Sequence, residues 1–181
     1  PIYFPKDVNG NKCTLDMIGK WVGEEHKYFF SYLINKIKAK KVVELGTFLG
    51  RSTILISSLL PENGKLYTID HFKGSQEHLD DPNIKPILPY LYDLCIKEIR
   101  ESRQSKKIVI IRSDTQHASI PDQPDLIYID ASHDTTSVEK DIERYFSLLR
   151  EGGIISGDDW KWASVRQGVE NCIDRGVLPP F

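Results

Sequence analysis

Three aspartates stand where apolar runs end: Asp130 after residues 125–129 (Asp-Leu-Ile-Tyr-Ile), and Asp158 and Asp159 after 154–156 (Ile-Ile-Ser). If those runs are neighbouring parallel strands, their carboxyl ends bring the three carboxylates into one small volume. Left uncompensated, the charges would repel one another and raise their pKa values. A hard divalent cation removes the conflict, and Mg2+ takes carboxylate and water oxygens in octahedral geometry. A plainer alternative also stands open, in which Asp158 and Asp159 cap the next helix or bind loop backbone. His133 lies just beyond Asp130, and an imidazole there suits a general base near neutral pH.

A second constellation spans residues 42–53, Val-Val-Glu-Leu-Gly-Thr-Phe-Leu-Gly-Arg-Ser-Thr. An apolar run closes on Glu44, Gly46 and Gly50 bracket a short turn, and Ser52 opens a helical run. The glycines allow close backbone approach to a ligand. Their spacing departs from the dinucleotide pattern G-x-G-x-x-G, and Glu44 would repel a pyrophosphate, so the turn suits a cationic or amine-bearing ligand. Asp70 follows the next apolar run about twenty residues on, where an acidic side chain commonly takes ribose hydroxyls. Arg112-Ser113-Asp114 follows the third run.

The elements that position these residues alternate. Strands are predicted at 42–45, 66–69, 107–111, 125–129 and 154–156, short and continuously apolar as strands covered on both faces should be. Helices fill 52–60, 87–102, 137–149 and 164–174, and an N-terminal helical region runs from Leu15 to Ile37. For 137–149, Thr136 and Glu139 have capping-box spacing, and Val138, Ile142, Tyr145, Phe146 and Leu149 form one apolar stripe. Right-handed β-α crossovers imply an α/β, doubly wound, mainly parallel sheet of order 3-2-1-4-5, with its crevice at the strands' carboxyl ends.

The 181 residues suit one domain with a sizeable core. A formal net charge of −2 gives no basic excess for nucleic acid. Cys13, Cys95 and Cys172 are odd in number and lack a C-x-x-C pair; they read as reduced thiols of a cytoplasmic protein. No run reaches membrane-spanning length. A polar insertion, Lys73 to Pro82, suits a lid or a mobile, uninvolved loop. Trp21, Tyr28, Phe29, Phe30 and Tyr32 suit packing on the sheet, covering the site or a homodimer contact, and Trp160 and Trp162 an acceptor wall or core packing.

Glu44-Leu45-Gly46-Thr47-Phe48-Leu49-Gly50-Arg51-Ser52, with Asp70, Asp130 and Asp158-Asp159-Trp160 in order, resembles class I S-adenosylmethionine (SAM) methyltransferases. The first motif is similar to that of catechol-type O-methyltransferases, and the Asp-Asp-aromatic run to that of macrocin-type sugar O-methyltransferases. The resemblance implies a Rossmann-like SAM domain over 41–181 behind an N-terminal helical region 1–40. It implies SAM as cofactor: Glu44, Gly46, Thr47, Phe48, Gly50 and Ser52 around the methionine part, Asp70 on the ribose, His71 and Phe72 beside the adenine, Ser113 and Asp114 at its amino group. Asp130 stands next to the methionine part. It further implies Mg2+ on Asp130, Asp158 and Asp159, and a small-molecule hydroxyl as methyl acceptor. Asp130 and His133 would be catalytic, His133 standing where catechol-type enzymes carry a lysine. Sheets of this family continue into strands six and seven, which Gly176–Phe181 is too short to form, so those strands are expected to be missing here. A metal-free methyltransferase, a nicotinamide oxidoreductase on the same fold and a non-catalytic SAM-binding module remain the alternatives.

Overall fold

A computed structural model describes residues 22–120 and 123–180. The elements, in chain order, are α1 (Glu24–Ile37), β1 (Lys41–Leu45), α2 (Arg51–Leu59), β2 (Lys65–Asp70), α3 (Gln76–Asp80), a 3-10 turn (Lys85–Tyr90), α4 (Leu91–Glu101), β3 (Ile108–Arg112), β4 (Leu126–Ile129), α5 (Thr135–Phe146), β5 (Ile154–Gly157) and α6 (Ala163–Asp174). The five strands form one parallel sheet of order β3-β2-β1-β4-β5. That is the expected architecture. Trp21, Cys13 and the start of the helix predicted from Leu15 lie outside the described residues.

Strand periodicity divides the core. Val42, Leu66, Leu126 and Tyr128 face α1 and α2, packing with Phe30, Ile34, Ile56 and Leu60. Val43, Leu45, Ile69 and Ile127 face the other way, against Tyr145 of α5. The N-terminal helix therefore packs on the sheet through Phe30, Leu33 and Ile34, and leaves Tyr28, Phe29 and Tyr32 exposed. Among the described residues, no helix is long and apolar enough to cross a membrane.

Two local expectations shift. Helix α5 starts earlier than Thr136 implies, because Asp134 is its N-cap and accepts from the Ser137 amide at 3.0 Å. An aspartate in extended geometry satisfies the first-turn amides directly. The helix expected from 87 begins only at Leu91, because Pro86 and Pro89 hold the preceding residues in a 3-10 turn. The polar insertion, in turn, contains a short helix of its own, α3.

The tightest packing lies where β1 gives way to the glycine turn. Gly46 has φ of +91°, and a Cβ built on it would fall 1.8 Å from the Asp130 carbonyl oxygen. Its own amide bonds to Ile69 O, and the Asp130 amide bonds to Leu45 O. Position 46 thus joins β1 and β4 at backbone contact distance. Gly46→Ala is expected to lower stability by more than about 3 kcal/mol. Gly176→Ala, also at positive φ but facing open space, should cost about 1–2 kcal/mol. Urea melts of the two variants check the difference.

Candidate active site

Glu44 lies in the middle of the sheet, beneath the turn, with its side chain on the α2 face. Its register partners are Thr68 on β2 and Tyr128 on β4. It is fully buried, and its Oε2 accepts from Thr53 Oγ1 at 2.5 Å and Thr68 Oγ1 at 2.7 Å. Its Oε1 meets no donor among the described residues. Burial pushes the carboxyl up to about 7 against the pull of the Ser52, Thr53 and Thr68 hydroxyls. Glu44 therefore staples β1, β2 and α2 together from below the turn and does not line the cavity above it.

Asp70, at the end of β2, holds the turn itself. One carboxylate oxygen accepts the amides of Thr47 at 3.0 Å and Phe48 at 2.8 Å, and the other accepts the Phe72 amide at 2.6 Å. A carboxylate offers about four lone-pair directions, so acceptor capacity remains toward the cavity that Asp70 lines. His71 is partly exposed and lines the same cavity, whereas Phe72 does not. With φ of +58°, Phe72 turns into the core and meets Tyr92 edge-on at 5.0 Å. Ser113 and Asp114 do line the cavity, on the far side from the turn.

This first cavity has a volume of about 640 Å³. A second, of about 480 Å³, lies beside it and is lined by Thr47, Ser52, Glu77, His133, Asp159 and Trp162 among others. The two share Gly46, Phe48, His78, Asp130 and Ala131. A third cavity, lined largely by apolar groups of α5, β5 and α6, again borders Asp130 and His133. Gly50 is the N-cap of α2, with φ of +79°, and backs onto Cys95 and Ile99 instead of a cavity.

The carboxylates expected to converge do so unequally. Asp130, His133 and Asp159 bring ligand-capable atoms within 4.8 Å of one another. Asp158 turns aside, to the Tyr128 hydroxyl at 3.0 Å, His26 Nε2 at 3.3 Å and the Asp159 amide at 2.8 Å. Burial works to raise the Asp158 carboxyl, yet these partners hold it below the ordinary range. Asp130 has the opposite fate: burial, then the charges of Asp158 and Asp159, raise it to about 7. His133 is bonded at both nitrogens, Nε2 to Asp159 at 2.8 Å and Nδ1 to Glu77 at 2.5 Å. The Asp159 bond and then both carboxylate charges, working against burial, lift it to about 9. In this arrangement the ring carries both protons at neutral pH and has no lone pair for an incoming proton. Two carboxylates and an imidazole facing one point fit a divalent cation, which would displace the Nε2 proton.

Several residues of the site were not foreseen. Glu77 and His78 come from α3, His78 stacking on Phe48 at 4.7 Å. The polar insertion was the only signal for them. Asp141 lies buried on α5, where it accepts from Thr115 Oγ1 at 2.7 Å and Gln116 Nε2 at 2.5 Å. Both partners line the first cavity beside Ser113 and Asp114. Its signal was a carboxylate directly beside Ile142 on an otherwise apolar stripe.

Residues 43–160 match a family model described as "Methyltransferase domain". The chain is 28% identical over 153 residues to caffeoyl-CoA O-methyltransferase of Populus kitakamiensis, covering 84% of this chain and 59% of that one. It is 27% identical over 161 residues to flavonoid 3',5'-methyltransferase of Vitis vinifera, covering 77% and 60%. The chain thus spans little more than half the length of the curated relatives it matches. Its fold is shared with the crystal structure of an O-methyltransferase from Bacillus cereus in complex with SAH, at TM-score 0.62 and 20% identity, covering 87% of this chain and 71% of that one.

Asp141 gives a test of the cavity wall. Burial raises its folded pKa to about 6 from an ordinary 3.8, against the pull of Thr115 and Gln116. An acid raised in this way contributes stability fully below its unfolded pKa and loses it as pH rises through the folded value. Asp141→Asn keeps an acceptor for Thr115 and Gln116 and removes the charge. The variant should melt higher than the parent above pH 6, by up to about 3 kcal/mol, and the gap should close as pH falls toward 4. Thermal melts across that range measure it.

Proposed function

Because the chain belongs to the methyltransferase domain family, within the class I SAM-dependent O-methyltransferases, we propose that it moves the SAM methyl group to a hydroxyl of a small molecule. The observation that carries this reading is the pair of cavities that meet at Gly46, Phe48, His78, Asp130 and Ala131. Methyl transfer requires a sulfonium on one side of such a junction and a nucleophilic oxygen on the other. The relatives' names, with caffeoyl-CoA and flavonoid acceptors, support a small hydroxylated acceptor as the class.

In this proposal the cofactor fills the larger cavity. Asp70 spends part of its carboxylate on the Thr47 and Phe48 amides and offers the rest to the ribose hydroxyls. Ser113 and Asp114 stand at the adenine end, on a loop pinned by Asp141, with His71 at the rim. Phe72 serves that end only through the core. Gly46 and Phe48 shape the methionine end, Thr47 and Ser52 reach it from the adjoining cavity, Gly50 sets the turn's backbone, and Glu44 acts on it from beneath, by tying β1 to α2 and β2.

The acceptor lies in the smaller cavity. A bound cation would lower the pKa of its hydroxyl, and the cluster of Asp130, His133 and Asp159 is where one would sit. The oxygen's lone pair forms the new C–O bond as the S–C bond breaks, leaving SAH, a methyl ether and one proton. With no cation seated, the Asp130 carboxylate, which faces the junction of the cavities, takes that proton; with one seated, the three groups act as its ligands and the proton leaves to water. Most of the acceleration would come from alignment of oxygen and methyl carbon across the junction.

Calorimetric titration with SAH, with NAD as control ligand, tests the cofactor assignment. Saturable binding of SAH and none of NAD is expected, and binding of NAD alone would overturn it. Asp70→Ala, which frees the two turn amides as well as the ribose side, should weaken SAH at least about tenfold, the loss of a charged hydrogen-bonding partner.

A further inference from the structure

Asp158 and Asp159 are neighbours in sequence but face different ways. Both oxygens of Asp158 are engaged away from the cluster, by Tyr128, His26 and the Asp159 amide. Asp159 has φ of +59°, a left-handed turn that sends its carboxylate to His133 Nε2. Asp130 faces the same point, and no hydrogen-bond donor of a described residue meets its carboxylate. Behind the imidazole, Glu77 of α3 holds Nδ1, and Trp162 lies over the ring at 4.8 Å.

A histidine held by a carboxylate at Nδ1 presents Nε2 for ligation, with tautomer and ring direction set from behind. The donor set on offer is thus two carboxylate oxygens and one imidazole nitrogen, with Asp158 outside it. Nitrogen donors favour first-row transition cations, whereas Mg2+ prefers oxygen alone.

We propose that the cation site of this chain consists of Asp130, His133 Nε2 and Asp159, oriented by Glu77, and that it selects a first-row transition cation over Mg2+. The use of the cation rests on the methyltransferase reading; its binding does not. The site has a structural consequence as well. Glu77 arrives on the insertion after β2, whose next residue, His78, covers Phe48 of the glycine turn. That insertion thus both completes the cation site and covers the junction of the two cavities.

Titration of the full chain with CoCl2, MnCl2 and MgCl2 tests this, with Co2+ followed by visible absorption as well as by heat. Co2+ should bind at least about tenfold tighter than Mg2+. His133→Ala should weaken Co2+ at least about tenfold, and Glu77→Gln by about 10–100-fold, with the Co2+ spectrum changed in both. Asp158→Asn should alter Co2+ affinity by less than about twofold, as expected of a residue outside the ligand set. A variant that no longer melts cooperatively is replaced by His133→Asn or Glu77→Asp. Co2+ binding no tighter than Mg2+, a larger loss from Asp158→Asn than from His133→Ala, or no cation bound by a chain that still binds SAH would each overturn the assignment. Selective Co2+ binding without SAH binding would support the site and count against the methyltransferase reading alone.

Discussion

Where β1 ends there is no room for a side chain. The Asp130 carbonyl occupies the space that any Cβ at position 46 would need, so the turn and the strand end, both of which line the two cavities, lie directly against each other. Everything chemical in this chain is organised around that contact. It sets the turn at the head of α2, brings Asp130 to the common wall of the cavities, and fixes the distance between the groups on either side. In the methyl transfer proposed above, a looser junction would separate sulfonium and acceptor by the width of a side chain, and alignment is the main thing such a site has to offer.

Two acids, Glu44 buried and Asp70 partly exposed, secure that contact, and they do so differently. Glu44 lies below the turn and binds hydroxyls from α2 and β2, at the cost of a carboxyl pushed toward neutrality. Asp70 lies beside the turn and accepts from its amides, which fixes the turn's backbone. The acid that faces the ligand side is thus the one with anion-stabilising donors, and the acid that is sealed in is the one left short of them. A sequence pattern that marks both as ligand contacts cannot separate these roles, because the difference lies in which donors surround each carboxylate.

The same limit explains what was legible in the chain and what was not. All five strands could be read to within about a residue, because each is a short apolar run closed by a polar residue, and strand order followed from crossover handedness. That Asp70, Asp130, Ser113 and Asp114 line one cavity was legible, because strand ends in a parallel sheet share one side. The division of labour between Asp158 and Asp159 was not. It turns on a single left-handed backbone angle at Asp159, which no pattern of residue types announces. Phe72 was misplaced for the same reason, its positive φ carrying the ring into the core. Glu77 and Asp141 come from segments whose sequences read as a polar loop and a helix face, and they join the site only through tertiary packing.

The electrostatics of the acceptor side follow from these placements. Asp130, Asp158 and Asp159 come from neighbouring strand ends, close enough for their charges to repel. The chain engages Asp158 with Tyr128 and His26, sets the His133 ring between Asp159 and Glu77, and gives the Asp130 carboxylate no hydrogen-bond donor among the described residues. Two carboxylates thus share one imidazole, with Asp130 facing it, at the point where the two cavities meet. A sulfonium approaching from one side, or a cation seated on the other, lowers the energy of that arrangement. Asp130 itself stands against Gly46 through its backbone, so whatever positive group its carboxylate attracts is held at the tightest contact in the fold.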